Sequence, residues 1–95
     1  MPTYASLIET DDRDVQNPQE FASIWGEIET EIADHDAELL DSYAVLGEYD
    51  FLVVFEVPDR DGAFQTSLTL RRHGLSTRTV GVVDTDDFAH LVDDV

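Results

Sequence analysis

Few side chains in this chain have the types and spacing for chemistry. Arg71, Arg72, His73 and Arg78 gather four of its five arginines and three histidines into eight positions. Such a group can hold an anion. Arginines near a helix end more commonly complement the helix dipole and pair with surface acids. Asp86, Asp87 and His90 fall together on one face of a short terminal helix, a spacing that can ligate a metal. With no cysteine, and with His35, His73 and His90 far apart in sequence, the expected reading is a solvated acidic face and no metal. Asp41, Tyr43 and Glu56 alternate along neighbouring strands, so a phenol and two carboxylates share a sheet face. A polar interface rim has the same composition. A Gly-rich phosphate loop, a nucleophile elbow and a His-Glu-x-x-His helix are all absent from the sequence, and no cofactor is implied.

The elements that must position these groups follow from periodicity. Thr3 to Thr10 alternates as a strand, with Tyr4, Ser6 and Ile8 on one face and Ala5 and Leu7 on the other. Asn17-Pro18-Gln19-Glu20 reads as a helix start with a capping box. Phe21, Ile24, Trp25, Ile28 and Ile32 form that helix's apolar stripe, and Gly26 inside it calls for close packing on the sheet. Leu39 to Leu46 and the strand from Tyr49 to Val57 read as a hairpin closed by a two-residue Gly47-Glu48 turn, with Leu46 opposite Tyr49 and Ala44 opposite Phe51. A second helix is expected over Gly62 to His73, with Ala63, Phe64, Ser67, Leu68 and Arg71 on its stripe and Gly74 at its end. Ser76 to Val83 makes a fourth strand, and Asp84 or Thr85 caps a short helix carrying Phe88, Leu91, Val92 and Val95. This order is that of a ferredoxin-like α+β sandwich, βαββαβ plus a C-terminal helix, forming one domain over residues 1–95.

Two helices cover only one face of a four-stranded sheet. Phe51, Val53 and Phe55 point one way and Leu52 and Val54 the other, so the third strand is apolar on both sides and should be central. The hairpin register places Leu40, Ala44 and Leu46 on the helix side. Leu39, Val45, Leu52 and Val54 go to the other side, together with Asp41, Tyr43, Asp50 and Glu56. That second face is too apolar for water and is expected to be a homodimer interface, with room for a higher homo-oligomer. A small molecule would sit among Tyr4, Asp41, Tyr43, Glu56, His73 and Arg78, although alternation alone leaves the face of Tyr4 open.

Charge narrows the partners. Twenty-two acidic residues against five basic ones give −17, and the acids are spread along the whole chain. Nucleic-acid binding, which needs clustered Lys and Arg, is not expected. No apolar run approaches the roughly 18 residues that span a bilayer, and the N-terminus lacks a basic leader segment, so a cytoplasmic protein is expected. Evenly distributed acidity is what a surface built for concentrated salt would show.

Met1 to Ile8, Leu46-Gly47-Glu48-Tyr49-Asp50 and Phe55-Glu56-Val57-Pro58-Asp59, in that order, resemble the GYD domain family, and the acidic load gives the look of a haloarchaeal member. Gly47, Tyr49 and Asp50 match the signature residues. They line a binding site or, more simply, shape the hairpin, with Asp50 accepting from backbone amides and Tyr49 packing on Leu46. The resemblance implies a ferredoxin-like fold and a dimer with stacked sheets, a dimeric α+β barrel. It implies little chemistry. Three functions follow as expectations. The first is a ligand-binding homodimer without evident catalysis. The second is a cofactor-independent monooxygenase- or isomerase-type enzyme using Tyr43 or His73 for proton transfer. The third is a stand-alone effector module similar to the ligand-binding domain of Lrp/AsnC regulators.

Overall fold

The computed structural model describes residues 1–10, 18–93 and 95, with backbone alone for 18–22. Along it run β1 (Thr3–Thr10), α1 (Pro18–Ala33), β2 (Glu38–Ala44), β3 (Phe51–Glu56), α2 (Arg60–Arg72), β4 (Leu75–Val82) and α3 (Thr85–Asp93). The strands form one antiparallel sheet in the order β2-β3-β1-β4, the ferredoxin-like arrangement, with β3 and β1 in the interior. The expected Asn17 cap and the side chains of Glu20 and Phe21 lie outside the described residues.

Residues directly opposite in antiparallel strands share a face, so the register sorts the sheet into rows. Ser42, Val53, Ser6 and Thr79 make one row beneath the helices, and Ala44, Phe51, Ile8 and Thr77 make the next. Ile28 and Ile32 of α1 and Ala63 and Leu70 of α2 close over these rows, burying Ile8, Val53, Phe55 and Val57 almost completely. Trp25 meets the edge of Phe51 at 5.7 Å between ring centroids, and Tyr4 stacks on Phe55 at 5.9 Å. Tyr4 therefore belongs to the helix-covered face.

Four local expectations are corrected. The hairpin loop is longer than two residues: β2 ends at Ala44, β3 begins at Phe51, and the Val45 N–H donates to the Asp50 carbonyl at 2.8 Å. Gly47 sits inside it at φ +142°, backbone that L-residues rarely adopt, and Leu46 is fully exposed, so Tyr49 has no apolar wall there. The pairing Ser42 to Val53 and Ala44 to Phe51 is as expected. Secondly, the β2–β3 register shifts between Leu39 and Asp41. A bulge places one extra residue, Leu40, in the strand. Leu39 thereby packs against the core and Leu40 takes the uncovered side, the reverse of strict alternation.

Thirdly, α2 turns a different stripe inward. It buries Gly62, Ala63, Thr66, Thr69 and Leu70 and leaves Phe64 and Leu68 exposed. A Cβ at Gly62 would stand 3.0 Å from the Val57 Cβ, so the helix lies too close to the end of β3 for a side chain there. Thr66 and Thr69 satisfy their hydroxyls on the carbonyls of Gly62 and Gln65, each at 2.9 Å, which lets polar residues sit in this tight seam. Lastly, Gly26 is exposed and a Cβ there would meet nothing within 4 Å, so close packing does not account for it.

The candidate site on the uncovered sheet face

The uncovered face is a grid set by the same register. Its first row across all four strands is Tyr43, Leu52, Leu7, Arg78. The second is Asp41, Val54, Ala5, Val80, and the third is Glu38, Glu56, Thr3, Val82. The centre, Leu7, Leu52, Ala5 and Val54, is apolar and half-buried, with no helix among the described residues packed over it. Polar groups stand on its borders. Tyr43 and Asp41 occupy the β2 edge, Glu56 one end, and Arg78 the β4 edge. Three strand spacings separate Tyr43 from Arg78, roughly 14 Å between backbones. Arg78 is exposed and takes part in no ion pair among the described residues.

The face thus brings together Asp41, Tyr43, Glu56 and Arg78 with Leu52 and Val54. It does not bring in Tyr4, which lies on the helix side, or Leu39, moved there by the bulge. Val45 stands half-buried at the neck of the hairpin loop, one residue past β2. At the end of β1 and β4 a groove of about 690 Å³ opens on this face, between Thr3, Leu40, Val54 and Val82 on the sheet and Asp84 and Asp87 at the start of α3. Leu7, Leu40, Val80 and Val82 are the contributors that sequence reasoning did not single out. Alternation already put Leu7 here, but only the register to β4 shows that Val80 and Val82 extend the same patch.

His73 lies elsewhere. It ends α2, and its Nε2 is 3.1 Å from Glu31 Oε2 at the close of α1, where Arg72 also donates to the same oxygen. The hydrogen bonds from Arg72 and then His73 hold the Glu31 carboxyl below its ordinary value of 4.5. Tyr43 and His73 therefore occupy opposite sides of the sheet and cannot serve one reacting centre within a chain. Asp86, Asp87 and His90 do not converge into a metal-binding cluster, nor does any other such set among the described residues.

Asp50 has a definite task. Its Oδ2 accepts from the Thr10 N–H at 2.8 Å and the Thr10 hydroxyl at 3.0 Å, while its own N–H donates to the Ile8 carbonyl at 2.8 Å. The residue ties the β2–β3 loop to the last turn of β1, forty positions away. A family model described as GYD domain matches residues 4–92. The chain belongs to the GYD domain family. In this GYD domain, then, Gly47 shapes the loop and Asp50 fastens it across the sheet.

Solved structures agree on the fold. The GYD domain superposes on the Mycobacterium tuberculosis leucine response regulatory protein LrpA with a TM-score of 0.65 at 18% identity, covering 88% of this chain and 51% of that one. It thus spans about half the length of that regulator. FFRP-DM1 matches with a TM-score of 0.60 at 21% identity, over 87% of this chain and 100% of the other. A hypothetical protein, PHS023 from Pyrococcus horikoshii, gives 0.51 at 21% identity, over 90% and 94%. No curated protein matches the sequence. None of the described helices is long and apolar enough to cross a membrane.

Proposed function

We propose that this GYD domain is a regulatory, ligand-binding module that works as a homodimer, its two uncovered sheet faces stacked and a small molecule held between them. The observation that carries this reading is the grid itself. Leu7, Leu52, Ala5 and Val54 form a contiguous apolar centre on an interior pair of strands, and no helix among the described residues covers it. An apolar patch of this kind marks an interaction site. Leaving its larger side chains uncovered forgoes roughly 1.5–3 kcal/mol for each that could be fully buried. A two-fold stack covers every one with a single contact. Tyr43, Asp41, Glu56 and Arg78 around the rim then give a semi-polar enclosure with one cation, suited to a small polar ligand. The regulatory half of the reading draws on the likeness to about half of a leucine response regulatory protein.

The test separates assembly from folding. Val54→Asp puts a charge in the centre of the uncovered face and should give a monomer or fail to fold. Val53→Ala, its neighbour on the helix side, removes two buried methyl groups and should lower stability by roughly 1–3 kcal/mol with the dimer kept. Light scattering in high salt reads the first effect and denaturation the second; a monomeric wild type at micromolar concentration overturns the proposal. Thermal-shift screening of metabolites under the same conditions identifies the ligand, because anything selective for the folded state raises its melting temperature.

A further inference from the structure

α3 buries none of its side chains against the described residues of its own chain. Phe88, Leu91, Val92 and Val95 recur at helical spacing and make one apolar stripe, each more than half exposed, and none of the helix's residues is buried. Among the described residues it makes no extensive packing with any strand or helix, its first turn alone standing beside the groove at Thr3 and Val82. A nine-residue helix is too short to be stable on propensity alone, so such a stripe needs a surface. Its own sheet does not bury it. β4 ends at Val82, and Asp84 already fixes the helix start: its Oδ1 accepts from the Asp87 N–H at 2.7 Å and its carbonyl from the Phe88 N–H at 3.0 Å. Val83 is the single residue between strand and cap. As the helix leaves the end of β4, its stripe stands exposed and is not laid on the chain's own sheet face.

Apart from Phe64 and Leu68 on α2 and Leu46 in the hairpin loop, a second exposed apolar surface lies on the uncovered sheet face. From the structure we infer that α3 is a clasp exchanged between two copies of this chain, each helix laying its Phe88, Leu91 and Val92 stripe on the partner's open face, at the groove beside Leu40, Val54 and Val82. This rests on the homodimer proposed above and adds the element that holds it. Area supports a second copy as the occupant. The exposed parts of Leu40, Tyr43, Val80, Val82 and Val83 together with those of the stripe come to roughly 800 Å² per protomer, what one side of a standard interface buries. The two unpartnered surfaces lie on one chain, so a two-fold pairing satisfies both twice and closes. Among the described residues Arg78 is the one cation on the receiving face and takes part in no ion pair, while α3 brings Asp86, Asp87 and Asp93.

Because the chain has no cysteine, His90→Cys gives one attachment point on the polar side of α3. Spin-labelled His90→Cys protein is mixed in high salt with nitrogen-15-labelled wild type, so that broadening reports only contacts between copies. The expected result is broadening of the Ala5, Val54 and Val80 amides in the labelled partner. Leu91→Asp, at a position more than half exposed in the single chain, should leave the melting transition of the protomer intact and weaken the dimer at least tenfold. Dimers by light scattering without intermolecular broadening, or a Leu91→Asp dimer as tight as wild type, overturn the clasp and leave the stacked dimer standing. A monomeric wild type overturns both.

Discussion

Asp50 holds the hairpin loop to a strand far away in sequence. Its carboxylate receives two hydrogen bonds from Thr10 and its amide reaches Ile8, so one residue fixes where the β2–β3 loop lies against β1. The sequence shows that a local acceptor follows a glycine and a tyrosine, and from that a turn role is legible. It does not show that the acceptor is used by a residue forty positions earlier, because that depends on β3 lying beside β1. The bulge at Leu40 is illegible for a related reason. Leu39 and Leu40 are chemically identical neighbours, and only the fit of the two strands decides which one faces the core. Asp50→Ala should lower stability by about 1 kcal/mol, since the Thr10 groups can turn partly to water, whereas Asp50→Asn keeps an oxygen acceptor and should cost less. Equal denaturation midpoints for wild type and Asp50→Ala would show that the tie does not hold the loop.

Elements were read more reliably than their inward faces. The strand and helix order, the Gly74 end of α2 and the Asp84 cap of α3 follow from local chemistry, which the sequence carries directly. The stripe of α2 does not, because Phe64 and Leu68 look more apolar than Thr66 and Thr69. Close approach at Gly62 selects the smaller residues, and threonine hydroxyls bonded to the preceding turn cost little when buried. α1 offers the opposite lesson. Gly26 carries the usual glycine cost in a helix with no packing reason behind it, so Gly26→Ala should stabilise the protein by roughly 1 kcal/mol in denaturant titration. No gain in midpoint would mean that the missing Cβ matters in the assembly. The junction of α1 and α2 is where pH enters. Arg72 and His73 hold the Glu31 carboxyl below 4.5, so its contribution to stability is present above the unfolded-state pKa and is lost as pH falls through the lower folded value. Glu31→Gln should therefore be less stable than wild type near neutrality, with the difference closing at acid pH. A difference that stays constant as pH falls below the carboxylate range would assign the effect to packing.

At the scale of the whole molecule, charge and apolar surface pull in opposite directions. The sequence makes both legible: the −17 balance is a count, and the two-sided third strand already demands cover on its far face. Which residues surround that face needed the register, and the isolation of α3 needed the tertiary structure, since an amphipathic helix looks the same whether its stripe meets its own chain or another. Two copies together carry twice −17, or −34, and stacking their sheets brings Asp41, Glu38, Glu56 and the α3 acids closer together. In dilute buffer, where the Debye length is tens of ångströms at about 0.01 M, this repulsion opposes both folding and pairing. At about 1 M it falls to about 3 Å, and only charges nearly in contact still interact. The apolar contribution moves the other way with strongly hydrated salts, which favour burial. Assembly should therefore tighten with salt, unlike an interface held by ion pairs, which would loosen. Lowering salt from molar to tens of millimolar should first dissociate the dimer in light scattering and then, at lower salt, reduce the far-ultraviolet circular dichroism as the protomer loses structure. The order follows from the assignments above: the interface gathers two full charge sets around a modest apolar patch, while the helix-side core of Ile8, Val53, Phe55 and Leu70 is enclosed within one chain. A dimer constant and a circular dichroism spectrum both unchanged across that range would mean that the acidic surface does not govern this protein's behaviour in solution.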